Sequence, residues 1–351
     1  MNPEQVAEAV PVDALAAWVG ANVPGASGPL TVSHLSGGSS NLTFRVRDEA
    51  NDWVLRRPPL GRLLATANDM GREYRVQRGL GTSDVPVPTT VAMCEDTDVI
   101  GVPFYLMRFV DGIVYSDADQ VTHLDEDQQL AASDELIDVL AHLHAVDYEA
   151  VGLGDLGRPE GFLARQIGRW RRQWEAAKQR ELPAIDEVAR RLERSVPERT
   201  DSGVVHGDYS FNNTMWSRDD PARMVAVLDW EMSTLGDPLT DLGMVAVYWD
   251  QAGEIMWRSR SPQPHRVGAG FPTSDHLLAR YEATSGRSVR DIDVYKVLAV
   301  YKLACIVEGA LARIRATRPD EDTTRTEATV QQLAALALEL ADQSPVPTLR
   351  R

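Results

Sequence analysis

The stretch VVHGDYSFNNTMW, residues 204–216, sets His206, Asp208 and Asn213 in the spacing H-x-D-x-x-x-x-N directly after two valines. A carboxylate at Asp208 could accept the proton of a hydroxyl as that hydroxyl attacks a phosphoryl group. An amide oxygen at Asn213 could bind a divalent cation without adding charge. Four intervening residues let one loop turn back and carry both groups. The same letters are also common turn residues, so the bland reading is a strand that ends in a turn. His206 reads as a brace for the loop. Sixteen residues beyond Asn213, an apolar strand ends in Asp229, where a carboxylate could make a second metal contact. In the following GDPLTDL, Asp237 and Pro238 read as a helix start with Asp241 in its first turn, both carboxylates structural.

Three further stretches precede these. In LSGGSSNLTF, residues 35–44, the run Gly37, Gly38, Ser39, Ser40 and Asn41 lies between two strand candidates. Such a run lets backbone N–H groups approach phosphate oxygens with no Cβ in the way. About twenty residues after the glycines, WVLRRPP places Arg56 on a strand, and REYRV places Glu73 in the middle of a helix, where it could orient that cation. Taken singly, these are a hairpin turn, a solvated arginine and a solvated carboxylate. The order of all five decides for phosphoryl transfer.

Those residues need a frame. Residues 5–20 read as a short amphipathic helix. Residues 30–57 hold two alternating runs and a third strand candidate, which point to an antiparallel sheet. A helical pattern covers 65–80, and strands return up to about 110, with Asp96–Asp98 in the turn between two of them. After Gly112 the pattern is helical. Residues 125–147 put Leu130, Leu136, Leu140 and Leu143 on or near one face, and 162–179 put Trp170 and Trp174 on one side. Helices dominate from about 237, and the tail SPVPTLRR reads as frayed. The outline is α+β: a small N-terminal lobe of antiparallel sheet with one key helix over 1–108, a larger mainly helical lobe over 109–345, and a tail over 346–351.

Composition narrows the class. With 43% hydrophobic and 25% charged residues the chain reads as a folded globular protein. A formal net charge of −16 argues against nucleic acid and anionic membranes as partners. The two cysteines, Cys94 and Cys305, form no CxxC and fit a reducing cytoplasm. No signal peptide and no membrane-spanning run are expected.

The motifs LSGGSSN, VLRR, REYRV, YLMRFVDG, HGDYSFNN and LDWEMSTLGDP, spread over about 30–245, resemble the aminoglycoside phosphotransferase family. These are kinase-like small-molecule kinases that include choline and homoserine kinases. The pattern is most similar to the branch related to the kinase-like region of acyl-CoA dehydrogenase family members 10 and 11. The resemblance implies a bilobal protein-kinase-like fold, ATP or GTP as donor, Mg²⁺, and a small-molecule hydroxyl as acceptor. It implies Asp208 as base, Asn213 and Asp229 on the metal, and Gly37–Asn41 over the phosphates. Arg56, where most of the family has lysine, would pair with the phosphates and with Glu73. Met107–Val110 would be the hinge, with the backbone of Arg108 and Val110 holding the purine and Met107 lining its pocket. Tyr209, Trp230 and Glu231 are substrate candidates, as are Trp170, Trp174, Tyr248 and Trp249. Few acidic residues follow Asp229, which gives no clear pocket for a multiply protonated amine. A nucleotide-binding pseudokinase acting as a regulatory module is the alternative, favoured by Arg56 and opposed by intact Asp208, Asn213 and Asp229. A metal-dependent phosphohydrolase is poorer, because His142 and His144, two apart on a helix, cannot face one metal. Neither a DFG nor an APE segment is present, which counts against a protein kinase.

Overall fold

The computed structural model describes residues 1–35, 41–60, 69–116, 118–198, 200–257 and 270–350. Gly37, Gly38, Ser39 and Ser40 lie outside the described residues. In chain order the strands are β1 (Thr31–Leu35), β2 (Leu42–Arg47), β3 (Asp52–Arg57), β4 (Thr90–Cys94), β5 (Phe104–Arg108), β6 (Gly203–Val205), β7 (Thr214–Trp216), β8 (Met224–Val227) and β9 (Thr234–Gly236). The chain divides into two compact units.

The first unit comprises Met1–Gly112, Ala150–Leu153 and Val225–Ser233. Its five strands are antiparallel in the order β1-β2-β3-β5-β4. The single helix expected over 5–20 is two, α1 (Pro3–Ala9) and α2 (Val12–Asn22). Pro11 breaks it, since proline lacks an N–H and drives the preceding residue out of the helical region; Val10 sits at φ −135°, ψ 89°. A third helix, α3 (Met70–Leu80), fills the expected span from residue 70 onward. The turn expected at Asp96–Asp98 is instead a one-turn helix, α4 (Thr97–Ile100). Asp96 caps it by accepting from the Asp98 N–H at 2.9 Å, and Gly101 closes it in the left-handed region.

Alternation along β3 sorts its side chains onto two faces. Trp53 and Leu55 join Phe44, Val46, Phe104 and Leu106 beneath Ala9, Leu15 and Val19 of α1 and α2. Val54 joins Tyr105, Met107 and Met70 of α3 on the other face. The same period puts Arg56 on the α3 face, in register with Tyr105 of β5. Arg57, 3% exposed, turns the other way and donates to the Ala9 and Ile100 carbonyls at the ends of α1 and α4, where a cation is favoured.

The second unit comprises Ile113–Glu149, Gly154–Met224 and Thr234–Arg351. It holds α5 (Glu126–Ala145), α6 (Phe162–Ala177), α7 (Pro183–Arg194), α8 (Leu239–Trp249), α9 (Gln251–Trp257), α10 (Ser274–Ser285), α11 (Ile292–Thr317) and α12 (Thr324–Gln343). Helix α11 is apolar on nearly every side and packs against α12, α8 and α6. On α5, Leu136, Leu140 and Leu143 are buried but Leu130 is exposed. Six residues separate Leu130 from Leu136, which at ~100° per residue turns it off that face. The tail is not frayed. Leu349 is buried, and its carbonyl accepts from buried Arg191 at 3.1 Å. Among the described residues no helix is long and apolar enough to cross a membrane.

Candidate active site

In the first unit, Asp69 starts α3 by accepting the Arg72 N–H at 3.0 Å, which sets Glu73 in the first turn on the sheet side. Glu73 is 1% exposed, and its carboxylate lies 3.0 Å from Arg56 Nε. The same guanidinium reaches Asp229 Oδ1 with Nη2 at 2.6 Å. Arg56 thus bridges two carboxylates with one planar fork, which a single ammonium cannot do. Burial pushes the Glu73 carboxyl up to about 7. Arg56 pulls it back, while Asp229 and Glu231 add to the rise. Arg56 is held above its ordinary value by Glu73, Tyr105 and Asp229, against the effect of burial.

Asp229 sits at φ 65°, ψ 64°, the one non-glycine with positive φ among the described residues. Left-handed backbone costs a residue with a Cβ roughly 1–2 kcal/mol, so the turn must be held. Three hydrogen bonds hold it. The Val227 N–H donates to the Pro86 carbonyl at 2.7 Å, Trp230 Nε1 to the Val227 carbonyl at 3.0 Å, and Arg72 Nη2 to the Ser233 carbonyl at 2.8 Å. Nearby, Asn41 Nδ2 donates to Glu231 Oε2 at 3.2 Å.

In the second unit, β6 pairs antiparallel with β9 and delivers the loop 206–213, which ends in a 3-10 turn over Phe211–Asn213. Asn213 Nδ2 donates to the Asp208 carbonyl at 2.8 Å and to Asp208 Oδ2 at 3.0 Å. Both partners are acceptors, which fixes the amide: nitrogen toward Asp208, oxygen free for a cation. His206 Nδ1 accepts the Asp208 N–H at 3.2 Å, so the bracing role expected for His206 is the one observed. Gly207 stands at φ 87° and allows the sharp turn before Asp208.

Asp241, 1% exposed, takes the His206 N–H on Oδ2 at 2.6 Å and the Gly207 N–H on Oδ1 at 2.8 Å. Burial alone would raise its carboxyl, but the His144 ring and the Gly207 amide hold it below the ordinary value. His144 Nδ1 is bonded in turn to the Tyr281 hydroxyl at 2.7 Å. Asp237 receives the Leu239 N–H at 3.0 Å and the Tyr295 hydroxyl at 2.6 Å. Helix α8 begins one residue later than expected, at Leu239, because Pro238 itself occupies the cap.

Of the residues singled out in the sequence, Arg56, Glu73 and Asp229 meet in the first unit, and Asp208, Asn213 and His206 meet in the second. Met107 is a core side chain. The Arg108 N–H is taken by the Thr89 carbonyl at 2.8 Å, its side chain is exposed, and Val110 is half-buried. Two substrate candidates change status. Tyr209 is fully buried with its hydroxyl on the Leu136 carbonyl at 2.8 Å, and Trp230 is fully buried with its N–H satisfied, so both are core side chains. Trp170, Trp174 and Trp249 are buried as well. Glu231 remains half-buried.

Sequence reasoning missed Lys302. From α11 its Nζ donates to the Gly207 carbonyl at 2.8 Å. Burial lowers this ammonium below its ordinary value, opposed by attraction to Asp208 and Asp241. The signal was present: a lone cation in the apolar run of a buried helix, VLAVYKLACIV.

The model of the phosphotransferase enzyme family matches residues 31–263. Acyl-CoA dehydrogenase family member 10 of Mus musculus is 31% identical over 316 residues, 89% of this chain. The chain spans only 29% of that relative's length. A solved structure from Ralstonia eutropha JMP134, assigned to the aminoglycoside phosphotransferases, is 32% identical with a TM-score of 0.81, covering 94% of this chain and 98% of that one. ADP-bound aminoglycoside phosphotransferase APH(2'')-Ib, at 15% identity, shares the fold with a TM-score of 0.54, covering 97% and 99%.

Proposed function

The chain belongs to the phosphotransferase enzyme family, and on that premise we propose that it is a Mg²⁺-dependent kinase moving the γ-phosphate of ATP or GTP to a hydroxyl of a small molecule. The observation that supports it most is the Asn213 amide clamped on Asp208, which orients a carboxylate and frees an amide oxygen in one stroke. Asp208 takes the hydroxyl proton as the acceptor oxygen bonds to the γ-phosphorus. The bond from that phosphorus to the bridging oxygen breaks, and the nucleoside diphosphate leaves.

Asn213 and Asp229 would hold the cation. Their oxygens are hard donors of the kind Mg²⁺ takes, and Asp229, 33% exposed, gives only Oδ1 to Arg56. When bound, Mg²⁺ offsets phosphate charge and fixes the reacting phosphoryl group. Arg56 would turn part of its charge to the phosphates, and Asn41 and the glycines before it would cover them.

Transfer of labelled phosphate to a metabolite mixture tests the reading. Asp208→Asn should lower it by about 10²–10⁴-fold without changing the fold, seen by circular dichroism. No transfer and no basal hydrolysis of either nucleotide by the unmodified chain would overturn it. The hold of Arg56 on Asp229 favours the alternative, a nucleotide-binding pseudokinase. Nucleotide-dependent thermal stabilisation without turnover would select that alternative.

A further inference from the structure

We propose that the acceptor carries a negative charge, read by Lys302 and Arg169 beside the catalytic loop; the inference rests on the kinase reading above and names the substrate class of its site. The whole chain carries 52 acidic and 36 basic residues, and Lys178, Lys296 and Lys302 are its only lysines. One of these three stands against the loop that holds Asp208. Its ammonium has three N–H donors, and among the described residues a single hydrogen bond, to the Gly207 carbonyl, and no ion pair engages them.

A second cation lies close by. Arg169 on α6 is exposed, places its guanidinium 5.3 Å from the centre of the Trp170 ring, and makes no ion pair among the described residues. Lys302 Nζ lies 5.7 Å from the same ring, which is buried and fixed. Burial disfavours charge on Lys302, the Asp208 and Asp241 carboxylates favour it, and repulsion from Arg169 adds a smaller opposing effect. Two like charges gathered around one indole, in an acidic chain and beside the base, are relieved by a ligand anion. A carboxylate or phosphate on the acceptor would sit on Lys302 and Arg169 while its hydroxyl reaches Asp208. A protonated amine in that place would meet charge of its own sign.

Four matched sugars test this on the full chain: glucose, glucuronate, glucose 6-phosphate and glucosamine, titrated by calorimetry. Glucuronate or glucose 6-phosphate should bind about tenfold tighter than glucose, with glucosamine weakest, and the better of the two identifies the anion as carboxylate or phosphate. Arg169→Gln, a surface change, and Lys302→Gln should each remove that preference, and Lys302→Arg should keep it. Equal binding of charged and neutral sugars, or a preference that survives both glutamine variants, would overturn the proposal. A second readout follows labelled phosphate into a metabolite extract split beforehand by charge. Label in the anionic pool supports the proposal, and label in the neutral or cationic pool overturns it. If no pool takes up label, the kinase reading fails, and the anion site is then decided by the sugar titration alone.

Discussion

Arg56 shows how much one side-chain choice commits. Its fork ties Glu73 to Asp229, and Glu73 is buried enough that it needs the partner. Arg56→Met should therefore destabilise the chain by about 3–5 kcal/mol in urea unfolding, because a buried carboxylate loses its counter-charge. Adding Glu73→Gln should recover most of that loss, and a double variant no more stable than the single would refute the pairing. Asp241 makes the opposite point. Its two oxygens each receive a backbone N–H, so Asp241→Asn must set an NH₂ against one of those donors. The expected cost is about 1–3 kcal/mol, with a fall in phosphate transfer as the loop loses its shape. Unchanged transfer and stability in that variant would show that the loop is held by other contacts.

At the scale of elements, helices do the positioning through their ends and their seams. Helix α3 carries Glu73 at a depth set by the Asp69 cap, and α8 carries Asp241 to the loop. Helix α10 is pinned to α5 by Asp138, which accepts from Arg280 Nε at 2.8 Å and Thr284 Oγ1 at 2.7 Å. Burial alone would raise the Asp138 carboxyl, but these partners hold it below its ordinary value of 3.8. A depressed folded-state value means the stabilisation is present above that pH and is lost as pH falls through the folded value. Asp138→Asn should thus be less stable than the parent at pH 7, with the gap closing below about pH 4. Denaturant midpoints across that range would measure it, and a constant gap would count against the pairing.

At the scale of the whole molecule, the proposed kinase reading requires that a nucleotide bind the folded chain. Ligand that binds only the folded chain stabilises it by mass action, about 2.7 kcal/mol at a hundredfold excess over the dissociation constant. Mg²⁺ with ADP or GDP should therefore raise the thermal midpoint, and EDTA or Asn213→Ala should remove most of the rise. A midpoint indifferent to metal would leave the roles given to Asn213 and Asp229 without support.

The sequence alone determined the order of the motifs, the antiparallel first sheet, the long apolar helices and the residues of the loop. These are local matters: alternation, helical spacing and turn chemistry are written within a few residues of where they act. It also reached Arg56 and Glu73 as a pair, and Asp229 separately as a metal contact with Asn213. Tertiary structure alone decided that Arg56 faces two carboxylates at once and that Tyr209 and Trp230 are core. It likewise decided that Asp241 holds the loop by two amides, and that Lys302, 94 positions beyond Asp208, stands beside it. Such pairings depend on which faces of distant elements meet, and no short-range pattern in a single chain encodes that meeting.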